Sequence, residues 1–188
     1  TGIPNTISNN VLIRVSDYAD PTKVNDTSTG AHLIKGVLDL QTPDDTPQTF
    51  YIGDNIPIQW NKTGTIGNLK VEYSAKGDFS DAIDIDTSYP AGADGLVTFS
   101  PAWTAPSKVS EAYKIKVSTT TAPAGCELTD TSTVAFKVRP KITGVSSPPL
   151  NDVWNVGLTD KIITWASTSA TKTDGSKPKV KFTYLVSG

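Results

Sequence analysis

The chain has no methionine, one cysteine and one histidine among its 188 residues. Each shortage removes a class of explanation. A single Cys forms no internal disulfide, so packing must hold the fold. One Cys and one His cannot build a Cys/His zinc site. A Ser-His-Asp arrangement would need His32, and the stretch 37–140 contains no histidine. The missing methionine suggests a processed product or an internal window of a longer polypeptide. An excess of one charge is missing too: 17 Lys+Arg stand against 19 Asp+Glu. That balance gives no electrostatic case for nucleic acid or an anionic membrane. No apolar run approaches the roughly 18–20 residues that span a bilayer, and no signal peptide is present. No Gly-rich phosphate loop, nucleophile elbow or catalytic carboxylate pair is recognisable. An enzyme is therefore not expected.

What the chain does have is self-similarity. "VLIRVS" at 11–16 matches "YKIKVS" at 113–118, and "DTSTGAHLIK" at 26–35 matches "DTSTVAFKVR" at 130–139. "FYIGDNIPIQW" at 50–60 matches "WNVGLTDKIITW" at 154–165, and "LKVEYSAKG" at 69–77 aligns loosely with "VKFTYLVSG" at 180–188. Four matches in one order and at nearly one spacing predict a tandem repeat of about 105 residues, the size of one immunoglobulin-like sandwich. On this reading residues 37–140 are one complete repeat. Residues 1–36 are the C-terminal part of a preceding repeat, and residues 141–188 the N-terminal half of a following one.

Inside 37–140 the apolar period is two. Ile56, Ile58 and Trp60 share a face, as do Leu69, Val71 and Tyr73, with Lys70 and Glu72 opposite. Tyr113, Ile115 and Val117 alternate with Lys114 and Lys116; Val134, Phe136 and Val138 alternate with Ala135 and Lys137. Val37–Leu40, Leu96–Phe99 and a short edge near Ala82–Ile85 bring the count to about seven strands, with turn-rich segments between them. The fold class expected is all-β, as tandem immunoglobulin-like antiparallel β-sandwich repeats. Links of one to three residues ("IKGVLDL", "VRPKITG") leave little reach for swinging, so a stiff string of units follows.

Few side chains suggest chemistry. His32 stands where the next repeat keeps Phe136, which makes it a core-edge filler. Cys126 in "PAGCELTD" reads as a structural thiol. Trp60 and Trp165 share one repeat position and Trp154 replaces Phe50, as core aromatics do. Trp103 has Thr1 as its counterpart, so it is the one Trp to consider as a platform for a sugar ring. Asp78, Asp81, Asp84 and Asp86 crowd "GDFSDAIDID" and, with Trp103, form the candidate binding surface. Such hard oxygens are candidate Ca²⁺ donors, though EF-hand spacing is absent and solvated turn acids explain them as well. No other cofactor is expected.

The segments "IQWNKTGTIGNLKVEYS", "WTAP", "YKIKVS" and "DTSTVAFKV" resemble tandem Ig-like repeats of large bacterial cell-surface and secreted proteins. "PDDTPQTFYIGDNIPIQW" is also similar to the opening of the fungal Ser-Thr-rich, GPI-anchored wall-protein domain. The resemblance covers nearly the whole chain. It implies an extracellular stalk, adhesin shaft, surface-layer or filament component, with no catalytic residues to carry over. The partners implied are neighbouring repeats of the same polypeptide or other copies of it. A glycan-binding or surface-partner-binding module, accessory to a secreted hydrolase in one version, is the second expectation. The acidic insertion at 76–86 and the longer loop at 166–179 depart from the pattern in loops, where variation costs least.

Overall fold

A computed structural model describes residues 2–44, 46–149, 152–183 and 185. The fold is all-β, with 44% strand and no helix among the described residues. Short runs rich in Val, Ile, Thr and aromatics, cut by Gly, Pro and Asp turns, favour pleated strands over helices. The first stretch carries β1 (Ser8–Val11), β2 (Arg14–Ser16), β3 (Asn25–Thr27) and β4 (His32–Ile34). The middle carries β5 (Val37–Thr42), β6 (Thr49–Tyr51), β7 (Asn55–Ile56), β8 (Gln59–Thr63), β9 (Leu69–Ser74) and β10 (Ile83–Tyr89). It continues with β11 (Gly95–Thr98), β12 (Trp103–Thr104), β13 (Lys108–Thr119), β14 (Thr129–Thr131) and β15 (Phe136–Arg139). The last stretch has β16 (Ile142–Ser147), β17 (Thr164–Ser167) and β18 (Thr171–Lys172).

These strands form six sheets among the described residues, not a clean pair per repeat. The largest runs β10-β9-β13-β15-β6, with β14 and β18 also bonded to β13. A three-stranded sheet runs β11-β8-β5, and β12-β7, β16-β17, β1-β4 and β2-β3 are separate pairs. One buried cluster joins the two larger sheets. Leu38, Leu40 and Trp60 come from the smaller; Leu69, Val71, Tyr113, Ile115, Val117, Phe136 and Val138 come from the larger. Trp60 meets Tyr89 of β10 edge to face at 5.7 Å, and its indole N–H donates to the Ala91 carbonyl at 3.2 Å. Burying each large apolar side chain contributes about 1.5–3 kcal/mol.

Three details depart from the alternation. The expected 56–60 strand is broken at Pro57: β7 pairs with β12, whereas β8 pairs with β5 and β11. Proline offers no ladder N–H, so the partner can change there. Glu72, expected in water, is 4% exposed. Lys70 (2.6 Å) and Lys116 flank its carboxylate, and their stems cover it. The short edge near 82–85 extends from Ile83 to Tyr89 along β9. Residues 37–140 hold eleven strand segments, because β6, β7, β12 and β14 are too short to show a period.

Registers recur along the chain. In β2–β3 the partners are Arg14↔Thr27, Val15↔Asp26 and Ser16↔Asn25; in β13–β14 they are Lys116↔Thr131, Val117↔Asp130 and Ser118↔Thr129. The pairs Ser8↔Ile34 and Val11↔His32 of β1–β4 have counterparts in Ser110↔Val138 and Tyr113↔Phe136 of β13–β15. The Ile13 N–H donates to Ser28 Oγ at 3.1 Å, as the Ile115 N–H does to Ser132 Oγ at 3.0 Å. Downstream, Gly144↔Ala166, Val145↔Trp165 and Ser147↔Thr164 repeat Asp39↔Asn61, Leu40↔Trp60 and Thr42↔Gln59. The turn glycines Gly53 and Gly157 have φ of 87° and 88°, a region where a side chain is disfavoured.

Burial does not recur with register. Trp60 is fully buried, but Trp165 is 37% exposed. Ile13 and Val15 are exposed, while their counterparts Ile115 and Val117 are fully buried. A covering second layer is described only for the central unit. Trp60→Ala should therefore cost about 3–5 kcal/mol. Trp165→Ala, at the same register, should cost less than half as much. Urea unfolding of the two variants, followed by the remaining Trp fluorescence, checks the contrast.

Candidate functional site

The most elaborate polar arrangement outside the core lies where residues 2–36 meet the central unit. It starts at Gly36. A Cβ there would lie 2.9 Å from the Thr63 carbonyl oxygen and 2.9 Å from Ile7 Cδ1, so only glycine lets the two backbones approach. The loop after β8 then reaches back. The Thr65 N–H donates to the Asn5 carbonyl at 2.9 Å, and the Ile7 N–H donates to Thr65 Oγ1 at 3.2 Å. Asp94 gathers three donors: Asn5 Nδ2 at 2.8 Å, the Gly64 N–H at 3.2 Å and Lys62 Nζ at 3.2 Å. These partners, Asn5 first and Lys62 next, hold the Asp94 carboxyl below its ordinary range. The Lys62 side chain is 5% exposed, and its ammonium also donates to the Gly64 carbonyl at 2.8 Å.

On the other flank, Asn9 Nδ2 donates to the Ala124 carbonyl at 3.3 Å. The thiol of Cys126 is buried and points at the Ile34 carbonyl, 3.7 Å away. Ile7, Ile66, Pro123 and Cys126 help line a cavity of about 60 Å³ between these contacts, too small for an organic ligand.

A second junction follows the same plan. The Thr171 N–H, at the start of β18, donates to the Ser107 carbonyl at 3.2 Å. Asn5 and Ser107 each stand three residues before the paired counterparts Ser8 and Ser110. There β18 lies parallel to the start of β13, with Lys108↔Thr171 and Val109↔Lys172. The Lys141 N–H donates to Thr168 Oγ1 at 2.9 Å, and the Lys141 ammonium lies 5.9 Å from the Tyr51 ring centroid.

The residues singled out from sequence are dispersed. Trp103 is half-buried in β12, its ring 4.7 Å from that of Tyr73 and packed against the core. Asp78 accepts from the Ser80 N–H (3.0 Å) and hydroxyl (2.8 Å), which hold its carboxyl below the ordinary range. Asp81 accepts from Ser74 Oγ at 2.6 Å and pairs with Lys108 at 3.0 Å. Burial pushes its carboxyl up, but those bonds outweigh it and the net shift is downward. Asp84 pairs with Lys70 at 2.8 Å, and Asp86 accepts from the Ser88 N–H at 2.7 Å. Each acid has its own local donor. Among the described residues no three His, Cys, Asp or Glu side chains converge as a metal would require. His32 lies exposed on β4, in contrast to the buried Phe136 at its counterpart position, because no second layer covers β4.

A cleft of about 470 Å³ lies beside β16 and β17 and is lined by residues including Ile142, Trp165 and Val180. Trp165 there holds the register of the buried Trp60, so the cleft reads as an uncovered apolar face and not as a built pocket. No family model matches the chain, and no curated protein or solved structure matches it either.

Two outcomes follow. Gly36→Ala should loosen the first junction alone: exchange of the Thr65 amide hydrogen should rise while Ile115 and Val117 stay protected, as hydrogen-exchange NMR would read. The second concerns Glu72. Burial pushes its carboxyl up, but Lys116 and Lys70 outweigh that and leave it below the ordinary range. Its stabilising effect is therefore fully present above the unfolded value of about 4.3. It is lost as pH falls through the lower folded value. Glu72→Gln should lower the melting temperature at pH 7 and flatten its fall between about pH 5 and 3, measured by thermal denaturation across that range.

Proposed function

We propose that this chain is an internal segment of a long extracellular repeat protein and that its role is structural: a stalk, adhesin shaft, surface-layer or filament component. The units are tandem Ig-like β-sandwiches of about 105 residues. Residues 37–140 form a whole unit, 1–36 the closing strands of another and 141–188 the opening half of a third. Neighbouring repeats are the principal partners.

One observation carries this reading. The segment after β8 bonds to Asn5, three residues before Ser8, through Thr65, and the segment after β17 bonds to Ser107, three residues before Ser110, through Thr171. A junction that recurs with the strand registers points to selection on how units follow one another. Loose beads need no such bonds. The glycan-binding alternative has less support, since the Trp103 face toward Tyr73 is taken. The separately bonded acids likewise leave no shared ligand set.

Small-angle X-ray scattering on the chain tests the shaft. The expected result is a rod-like profile whose maximum dimension rises by a constant step as whole repeats are appended. A compact profile, with units folded back on each other, would refute it.

A further inference from the structure

We propose that copies of this chain join head to tail: the 8–34 stretch of one copy covers the bare face of 141–183 on the next, and the two rebuild one unit between them. The proposal rests on the repeat reading above and names the partner, a second copy of the same chain.

The central unit shows what each face lacks. There Leu40 and Trp60, opposed across β5–β8, share one buried core with Ile115, Val117 and Phe136 of β13 and β15. Residues 141–183 repeat the first of these layers and lack the second. Val145 and Trp165 are opposed across β16–β17 as Leu40 and Trp60 are, and both are exposed. Phe182 packs on Trp165 at 5.1 Å and is exposed as well. Residues 8–34 repeat the second layer and lack the first. Ile13 and Val15 stand where Ile115 and Val117 do, and both are exposed. Each bare face is what the other one misses, and closing them on each other takes both sets of apolar side chains out of water.

A carboxylate sets the alignment. In the central unit Asp130 ties the two layers together: its Oδ1 accepts from the Thr131 N–H at 2.9 Å and its Oδ2 from the Leu40 N–H at 2.6 Å. Asp26 holds the Asp130 register opposite Val15, and its Oδ1 accepts from the Thr27 N–H at 2.9 Å. Asp26 is thus posed as Asp130 is. The N–H that stands where that of Leu40 does belongs to Val145. Seating it on Asp26 Oδ2 selects one alignment from the many that apolar contact alone would allow.

The strands that neither stretch repeats lie at sheet edges. Residues 78–102 carry β10 and β11, and each is the outermost strand of its sheet. Two joined halves therefore keep their inner strands contiguous. Tyr89, which meets Trp60, is among the residues without a counterpart, so one side of Trp165 stays bare and the joint is reversible. The two faces are different surfaces. The contact is heterologous, and copies add in an open line that lengthens the shaft by assembly.

Sedimentation velocity on the full chain tests the joint. Ile13→Asp with Val15→Asp disables one face, and Trp165→Asp disables the other. The wild type should grow from 20.0 kDa to multiples of that mass as its concentration rises. Each variant alone should stay at 20.0 kDa. An equal mixture of the two should form a species of twice that mass and stop there, because both of its outer faces are disabled. Asp26→Asn leaves one acceptor oxygen for two donors and should weaken wild-type assembly at least about tenfold. All four positions are exposed, so protection of the Ile115 and Val117 amides in hydrogen-exchange NMR establishes that the central unit is intact in every variant. A wild type that stays at 20.0 kDa would overturn the proposal, as would a disabled variant that pairs with itself or assembly indifferent to Asp26→Asn. A monomer whose scattering dimension still rises by a constant step with each appended repeat would remove the joint and leave the shaft. Head-to-tail assembly of copies whose own units fold back would do the reverse.

Discussion

The contact between Trp60 and Tyr89 is the hinge of this structure. It spans from the three-stranded sheet to the large one, and around it Leu40, Ile58, Leu69, Val71, Ile115 and Val117 are closed from water. Without a disulfide among the described residues, this shared layer is what holds the sheets together. The terminal stretches illustrate the dependence. They repeat the strand registers of the central unit but have no second layer described over them, and their apolar faces stay exposed. Local pairing is reproduced without the core; burial is not.

Charge is placed to serve that layer. Glu72 lies inside a sheet face and is tolerated because two lysines surround it; leaving it unpaired would cost several kcal/mol. Lys70 is shared between Glu72 and Asp84, and this pairing raises its pKa. The ammonium of Lys116 also lies 4.4 Å from the Phe79 ring centroid. The acidic insertion is thus wired into β9 and β13 by separate bonds, which explains why its aspartates do not converge on a common ion.

The same economy holds where residues 2–36 and 141–183 meet the central stretch. Each uses a few backbone bonds and a tightly spaced linker. A glycine with no room for a Cβ and an Asn5–Asp94–Lys62 cluster fix one angle more firmly than a longer linker could.

Much of this was legible from the residue order. The all-β class and the inward faces of Ile56, Trp60, Val71, Ile115 and Phe136 follow from period-two alternation, which is a local property of the chain. The short segments β6, β7, β12 and β14 were not legible, because two or three residues carry no period. Nor was the junction. Asn5 and Asp94 are 89 positions apart, and neither belongs to a motif. The buried state of Glu72 and the packed state of Trp103 were also hidden, since each depends on side chains from other strands. The sequence by itself determined which residues alternate and where the pattern returns. Only the tertiary structure decided which alternating faces are covered, that β6 and β15 run parallel, and how residues 2–36 are bonded to the stretch that follows. Those outcomes depend on contacts between distant segments, and no local pattern encodes them.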